Sequence, residues 1–144
     1  MIDVRESTDK LKILIVDDSE LNRELLAGML EDEYEIYQVE NGKKAIDILE
    51  ENREQFKLVL LDINMPVMDG LEFSEKLLEK YPKCKVVIVT GFREFEYARK
   101  AIKLGVEEFL LKPINIKELA EVMNNLKNKL AKIKEEASKV AKEL

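Results

Sequence analysis

Five short strand-like runs, spaced along the chain and each closed by polar residues, constrain this sequence more than any other feature. They cover residues 12–16 (KILIV), 33–39 (EYEIYQV), 56–61 (FKLVLL), 85–89 (KVVIV) and 106–111 (VEEFLL). Most are too short and too apolar for half-exposed hairpin strands, and their branched side chains suit strands buried on both faces. Helical spacing separates them. After Ser19, a cap residue by type, Leu21, Leu25 and Met29 with neighbouring Leu26 and Leu30 predict a helix with one apolar face. Asn41-Gly42 marks a turn, and Ala45, Ile46, Ile48 and Leu49 mark a second helix. Pro66 and Gly70 bracket a loop before a third helix with Leu71, Phe73, Leu77 and Leu78 inward. A fourth spans 95–104 and is closed by Gly105. Strand followed by helix, five times over, predicts an α/β fold with a parallel sheet and helices on both faces.

The fifth helix is unusual. Ile116, Leu119, Met123, Leu126, Leu130, Ile133, Ala137, Val140 and Leu144 alternate at spacings of three and four. That is a heptad seam over four heptads, and a helix from 115 to 144 would be about 45 Å long. Its first turns suffice to cover a small sheet, so the part from Leu126 through Leu130, Ile133, Ala137, Val140 and Leu144 is expected to meet a second helix, most simply that of a second copy. The expected organisation is a polar lead at 1–10, a body at 11–128 and a helical extension at 129–144. A pattern still unbroken at Leu144 leads us to expect a piece of a longer regulator, with an output domain beyond it.

Composition removes several chemistries. The chain has no histidine, so it can build neither a Ser-His or Cys-His nucleophile pair nor a histidine zinc site. The single Cys84 cannot form an internal disulfide, and a reducing cytoplasm is the expected compartment. Near the start of a strand it reads as a small packing residue. No apolar run approaches the length that spans a bilayer, and the amino terminus does not resemble a signal peptide. The net charge of −6 argues against direct nucleic-acid binding. Residues 127–144 hold six lysines and three glutamates, a net +3 best read as a solvated coiled-coil flank, and the remainder carries −9. Asn22 and Arg23 are likewise expected on a solvated helix face.

The chemistry sits at the ends of the strand-like runs. Asp17-Asp18, Asp62, Thr90 and Lys112 each follow or close one, and in an open parallel sheet those ends face one crevice. Three converging carboxylates need a compensating charge. A hard divalent cation supplies it, magnesium with manganese a second fit. Lys112 suits a phosphoryl group, Thr90 can donate a hydroxyl hydrogen bond, and Asp62 is the candidate nucleophile, since carboxylates form acyl phosphates.

The motifs ILIVDDSELNRELL (13–26), LVLLDINMPVMDGLEF (58–73) and VVIVTGFREFEYARKAIKLGVEEFLLKP (86–113) together resemble the receiver domain of two-component response regulators. The resemblance implies a flavodoxin-like, doubly wound five-stranded parallel sheet in the order 2-1-3-4-5. It implies phosphorylation of Asp62 by a histidine kinase or a histidine phosphotransfer protein, and magnesium held by Asp17, Asp18, Asp62 and the backbone carbonyl of Asn64. Asp18 would be a direct ligand and Asp17 would act partly through water. Thr90 and Lys112 would bind phosphoryl oxygens. Phe109 would be a switch aromatic turning inward with Thr90, the Lys112-Pro113 bond would be cis, and the face of the fourth helix, fifth strand and fifth helix would be remodelled. The chain would then be a phosphoacceptor switch, not an enzyme in its own right. Two other readings compete. A haloacid-dehalogenase-type magnesium phosphatase wants D-x-D after the first strand, where this chain has D-D. A flavodoxin-like cofactor binder wants a loop rich in Ser, Thr and Gly there, and DDSELN is acidic. A receiver-like scaffold that accepts no phosphate is a third.

Overall fold

Residues 10–52, 55–62, 70–91, 99, 103 and 105–143 are described by a computed structural model. The strands are β1 (Lys12–Val16), β2 (Glu35–Val39), β3 (Phe56–Asp62), β4 (Lys85–Thr90) and β5 (Glu108–Leu111). They form one sheet in the order β2-β1-β3-β4-β5, with every neighbouring pair parallel. The helices are α1 (Glu20–Leu30), α2 (Gly42–Glu51), α3 (Gly70–Lys80) and, after β5, α4 (Ile116–Glu143). The parallel sheet is the one the alternation predicts, and its order is the flavodoxin-like, doubly wound one that the resemblance implies. The expected helix at 95–104 lies almost wholly outside the described residues, as do the loop at 63–69 and the lead at 1–9.

The central strands bury nearly every residue, as their composition predicts: all of β1, and all but Lys57 of β3 and Lys85 of β4. The outer strands differ. Four of the five residues of β2 are half-exposed, and β5 buries only Leu110. An edge strand has a neighbour on one side only, and burial on both faces is reserved for strands with a neighbour on each side. Alternate residues share a sheet face. Leu14 and Val16, Val59 and Leu61, and Val86 and Ile88 therefore stack in one cluster with Ala45, Ile48 and Leu49 of α2 and Phe73 and Leu77 of α3.

Local signals set the helix ends. The Ser19 Oγ accepts from the Asn22 amide at 3.3 Å, and the Asn41 Oδ1 accepts from the Lys44 amide at 2.9 Å, so each cap satisfies an amide in a first turn. Gly105 adopts φ +108°, a conformation that strains any residue with a side chain. Cys84 is buried beside β4, and burial pushes its thiol up to about 12. It stays protonated at neutral pH and packs as an apolar residue.

One expectation about α1 is corrected. Leu26, Ala27 and Leu30 are buried, while Leu21, Leu25 and Met29 are 69%, 54% and 37% exposed. Both sets have helical spacing and lie on adjacent stripes of the same helix. Periodicity cannot say which stripe faces the sheet.

The chain divides into two compact units, Met1–Lys112 and Pro113–Leu144. The second consists mainly of α4. Asn115 opens it, its Oδ1 accepting from the Lys117 amide at 2.8 Å and from the Glu118 amide at 3.4 Å. Leu119, Met123 and Leu126 are buried, Leu130 is half-buried and Ile133 is exposed. The side chains of Ala137 and Val140, and all of Leu144, lie outside the described residues. No helix among the described residues is long and apolar enough to cross a membrane.

Candidate functional site

Strand register assembles the site. Val16 of β1 lies opposite Leu61 of β3, so Asp17 and Asp62 come next side by side. Asp62 lies opposite Val89 of β4, and Thr90 follows. Thr90 lies opposite Leu111 of β5, and Lys112 follows. The Lys112 amide donates to the Thr90 carbonyl at 2.8 Å, which extends the pairing one step beyond the strand and fixes the root of the lysine. Residues up to 95 positions apart in the sequence thus gather at the carboxyl edge of one sheet (Asp17 to Lys112).

The acidic groups sit in unlike surroundings. Asp17 is 1% exposed, Asp62 is 6% exposed and Asp18 is exposed. The Asp17 amide donates to the Val39 carbonyl at 3.2 Å, and its Oδ1 accepts from the Ser19 amide at 2.8 Å. Its Oδ2 is buried and has no hydrogen-bond partner among the described residues. An oxygen of each of Asp17, Asp18 and Asp62 lies within 4.8 Å of the others. The Lys112 ammonium approaches Asp62 Oδ2 at 3.6 Å and Asp17 Oδ2 at 3.9 Å.

Among the described residues three carboxylates converge beside one ammonium, and carboxylates placed so close repel one another. A buried carboxylate oxygen without a donor is costly, and a set of oxygen ligands open to solvent on the Asp18 side fits a hard divalent cation. The cluster is therefore capable of coordinating a divalent metal through Asp17, Asp18 and Asp62. Thr90 is fully buried, and its hydroxyl donates to the Gly91 carbonyl at 3.2 Å. Phe109 is half-buried and packs against the α2–α3 core cluster. Asn64, expected as a further ligand, lies outside the described residues.

Arg23 is a second correction. Instead of lying on a solvated face, it is half-buried and its Nη1 donates to the Asp17 backbone carbonyl at 2.7 Å. Arg23 thus clamps the strand end that carries the buried aspartate. Asp17 lies outside the helix that carries Arg23, so helical spacing does not announce this contact.

Comparison with known proteins follows the same lines. A family profile described as the response regulator receiver domain matches residues 13–124. The chain is 37% identical over 124 residues to the uncharacterized transcriptional regulatory protein YesN of Bacillus subtilis, covering 81% of this chain and 33% of that protein. It is 32% identical over 116 residues to the chemotaxis protein CheY of Halobacterium salinarum, covering 80% of this chain and 95% of that one. Relatives such as the Bacillus regulator are longer, and the chain spans about a third of their length. Among solved structures, a receiver domain protein from Clostridium thermocellum superposes with a TM-score of 0.80 at 28% identity, covering 85% of this chain and 98% of that one. The receiver domain of AraT, a response regulator from Geobacillus stearothermophilus, superposes with a TM-score of 0.78 at 34% identity, covering 86% and 98%.

Proposed function

Because this chain belongs to the response regulator receiver domain family, we propose that Asp62 accepts a phosphoryl group from a partner's phosphohistidine, with magnesium held at Asp17, Asp18 and Asp62. Receiver domains are phosphoacceptor switches rather than enzymes that turn over a separate substrate. The observation that carries the proposal is the convergence of three carboxylates within 4.8 Å, with an ammonium 3.6 Å from Asp62. The chain has no histidine, so the donor imidazole belongs to a histidine kinase or a histidine phosphotransfer protein.

When bound, magnesium supplies positive charge that offsets the repulsion between the carboxylates and the phosphoryl oxygens. The Asp62 carboxylate oxygen attacks phosphorus in line as the P–N bond to the donor imidazole breaks. The electron pair leaves on the imidazole nitrogen, and Asp62 becomes an aspartyl phosphate. Lys112 follows the charge from the carboxylate to the phosphoryl oxygens. Thr90 exchanges its contact with the Gly91 carbonyl for one with the phosphoryl group, and Phe109 packs inward into the space released. That redistribution between two packed states is the signal. Water attack on the aspartyl phosphate resets it.

The exposed stripe of α1 supports a place for the donor. Leu21, Leu25 and Met29 share a face with Gly28, on the helix that begins just after Asp17 and Asp18. A Cβ added at Gly28 would meet nothing within 4 Å. Glycine inside a helix costs about 1 kcal/mol relative to alanine, and nothing among the described residues requires it here. It leaves room for the close approach of a partner helix. Gly28→Ala is therefore expected to raise the melting temperature by about 4 °C while slowing phosphotransfer from a cognate kinase. Equal or faster transfer would remove α1 from the docking surface.

The receiver body is assigned to 11–128 and the helical extension to 129–144. The exposed Ile133 beside half-buried Leu130 supports pairing of that extension with a second copy. Ile133→Glu is expected to shift light-scattering mass toward the monomer. An unchanged mass would assign the seam to another surface.

The primary test is intact mass after incubation with acetyl phosphate, with and without magnesium. A gain of one phosphoryl group that requires magnesium supports the proposal. No gain in folded protein that binds magnesium would leave a receiver-shaped scaffold without autonomous phosphorylation.

A further inference from the structure

The polar atoms of Asp17 divide into those that hold the residue and one that is left over. Its amide donates to the Val39 carbonyl at 3.2 Å, which ties it to the end of β2. Its Oδ1 accepts from the Ser19 amide at 2.8 Å. Its backbone carbonyl accepts from Arg23 Nη1 at 2.7 Å. Its Oδ2 takes no hydrogen bond among the described residues, and this oxygen stands 3.9 Å from the Lys112 ammonium. Three contacts fix the residue, and one oxygen remains for a cation.

The contact from Arg23 acts on both neighbouring aspartates. The peptide group between Asp17 and Asp18 is planar, so the carbonyl oxygen of the first and the amide of the second move as one body. A donor pinned to that oxygen sets the plane, and with it the direction in which the exposed Asp18 side chain leaves the backbone. The energetics of α1 itself do not call for an arginine at this place. Arg23 is the fourth residue of the helix, near the positive end of its dipole, where a cation is disfavoured. Its half-buried side chain turns back instead to the strand end that carries the carboxylates.

We propose that Arg23 is a positioning residue for the divalent cation: through the Asp17–Asp18 peptide it holds two of the carboxylates in the arrangement that receives the metal. The proposal rests on the reading of the aspartate cluster as a magnesium site. The sign of its effect separates positioning from charge. A guanidinium beside a cation site repels the cation, so on charge alone its removal would tighten binding. Positioning requires the reverse, because losing a group that orients metal ligands weakens affinity about 10- to 100-fold. Arg23→Met isolates the contact, since methionine keeps an apolar stem of similar reach and is a good helix former.

The test is a titration of magnesium chloride into the isotope-labelled, unphosphorylated full chain, followed by amide chemical shifts. Wild type is expected to bind, and Arg23→Met, its fold checked by circular dichroism, to bind about tenfold more weakly or worse. Arg23→Lys is expected to regain most of the affinity, because the contact is one donor to one oxygen. In chelator, the Asp17 amide is expected to exchange with solvent faster in Arg23→Met than in wild type, while the amides of β4 exchange alike. Arg23→Gln, too short to reach the carbonyl, carries the same expectations if the methionine variant does not fold. Wild type that binds no magnesium would remove the metal reading and this proposal together. Wild type that binds, beside a variant that binds equally or more tightly, would remove the role of Arg23 alone. Unchanged exchange at Asp17, or a lysine that restores nothing, would also overturn it.

Discussion

Asp62→Asn is expected to take up no phosphoryl group under conditions in which the wild-type chain takes up one. The side chain keeps its shape, but its amide has no anionic oxygen to attack phosphorus. The same variant is expected to melt at a higher temperature than wild type when chelator removes divalent cations. Asp62 faces two carboxylates, Asp17 and Asp18, within 4.8 Å and one ammonium at 3.6 Å. The Asp62 charge repels both neighbouring carboxylates, and replacing it by a neutral amide relieves about 1–3 kcal/mol of that repulsion at the effective dielectric of such a site. Added magnesium should then raise the wild-type melting temperature more than that of the variant, since the variant offers one fewer anionic ligand. Intact mass and thermal melts in chelator and in magnesium test both halves. Uptake by the variant would move the acceptor to another residue. A lower melting temperature in chelator would show that the ammonium outweighs the repulsion.

Lys112→Met is expected to slow phosphorylation by acetyl phosphate at least about 100-fold, the usual cost of removing one positioned donor from a developing charge. The ammonium stands 3.6 Å from Asp62 Oδ2 and 3.9 Å from Asp17 Oδ2. Its backbone is held by the 2.8 Å hydrogen bond to Thr90, so little motion is needed to reach an oxygen attached to Asp62. Methionine retains the length of the side chain without the charge. The thermal effect should have the opposite sign to that of Asp62→Asn: three carboxylates lose a cation, and the variant should melt lower in chelator. Arginine should not restore the wild-type rate, because its planar fork presents donors in a different geometry from a compact ammonium. A wild-type rate in Lys112→Met would reduce the lysine to an ion pair with the resting aspartates.

Much of this site can be read from the chain before it folds. Asp17, Asp62, Thr90 and Lys112 each close or follow a strand-like run, and a parallel sheet has one carboxyl edge. The capping role of Ser19 is local and equally legible, while Asn41, read with Gly42 as a turn, proves to cap α2 as well. The burial of β1, β3 and β4 follows from their unbroken apolar character. By contrast, the inward stripe of α1, the exposure of β2 and β5 and the clamp from Arg23 to Asp17 depend on what lies beside each residue in space.

Amino-acid order alone determined the alternation of elements, the fold class, and which polar residues close the strands, because backbone periodicity and side-chain type act over a few neighbouring residues. Tertiary structure alone decided three further things. Register put Asp17 beside Asp62 and Lys112 beside Thr90, through hydrogen bonds between strands that come from separate parts of the chain. Packing chose Leu26, Ala27 and Leu30 over Leu21, Leu25 and Met29 as the buried face of α1, although the two stripes look alike in sequence. Burial made unlike groups of two adjacent aspartates, Asp17 enclosed and Asp18 open to solvent, because successive residues at a strand end meet different surroundings.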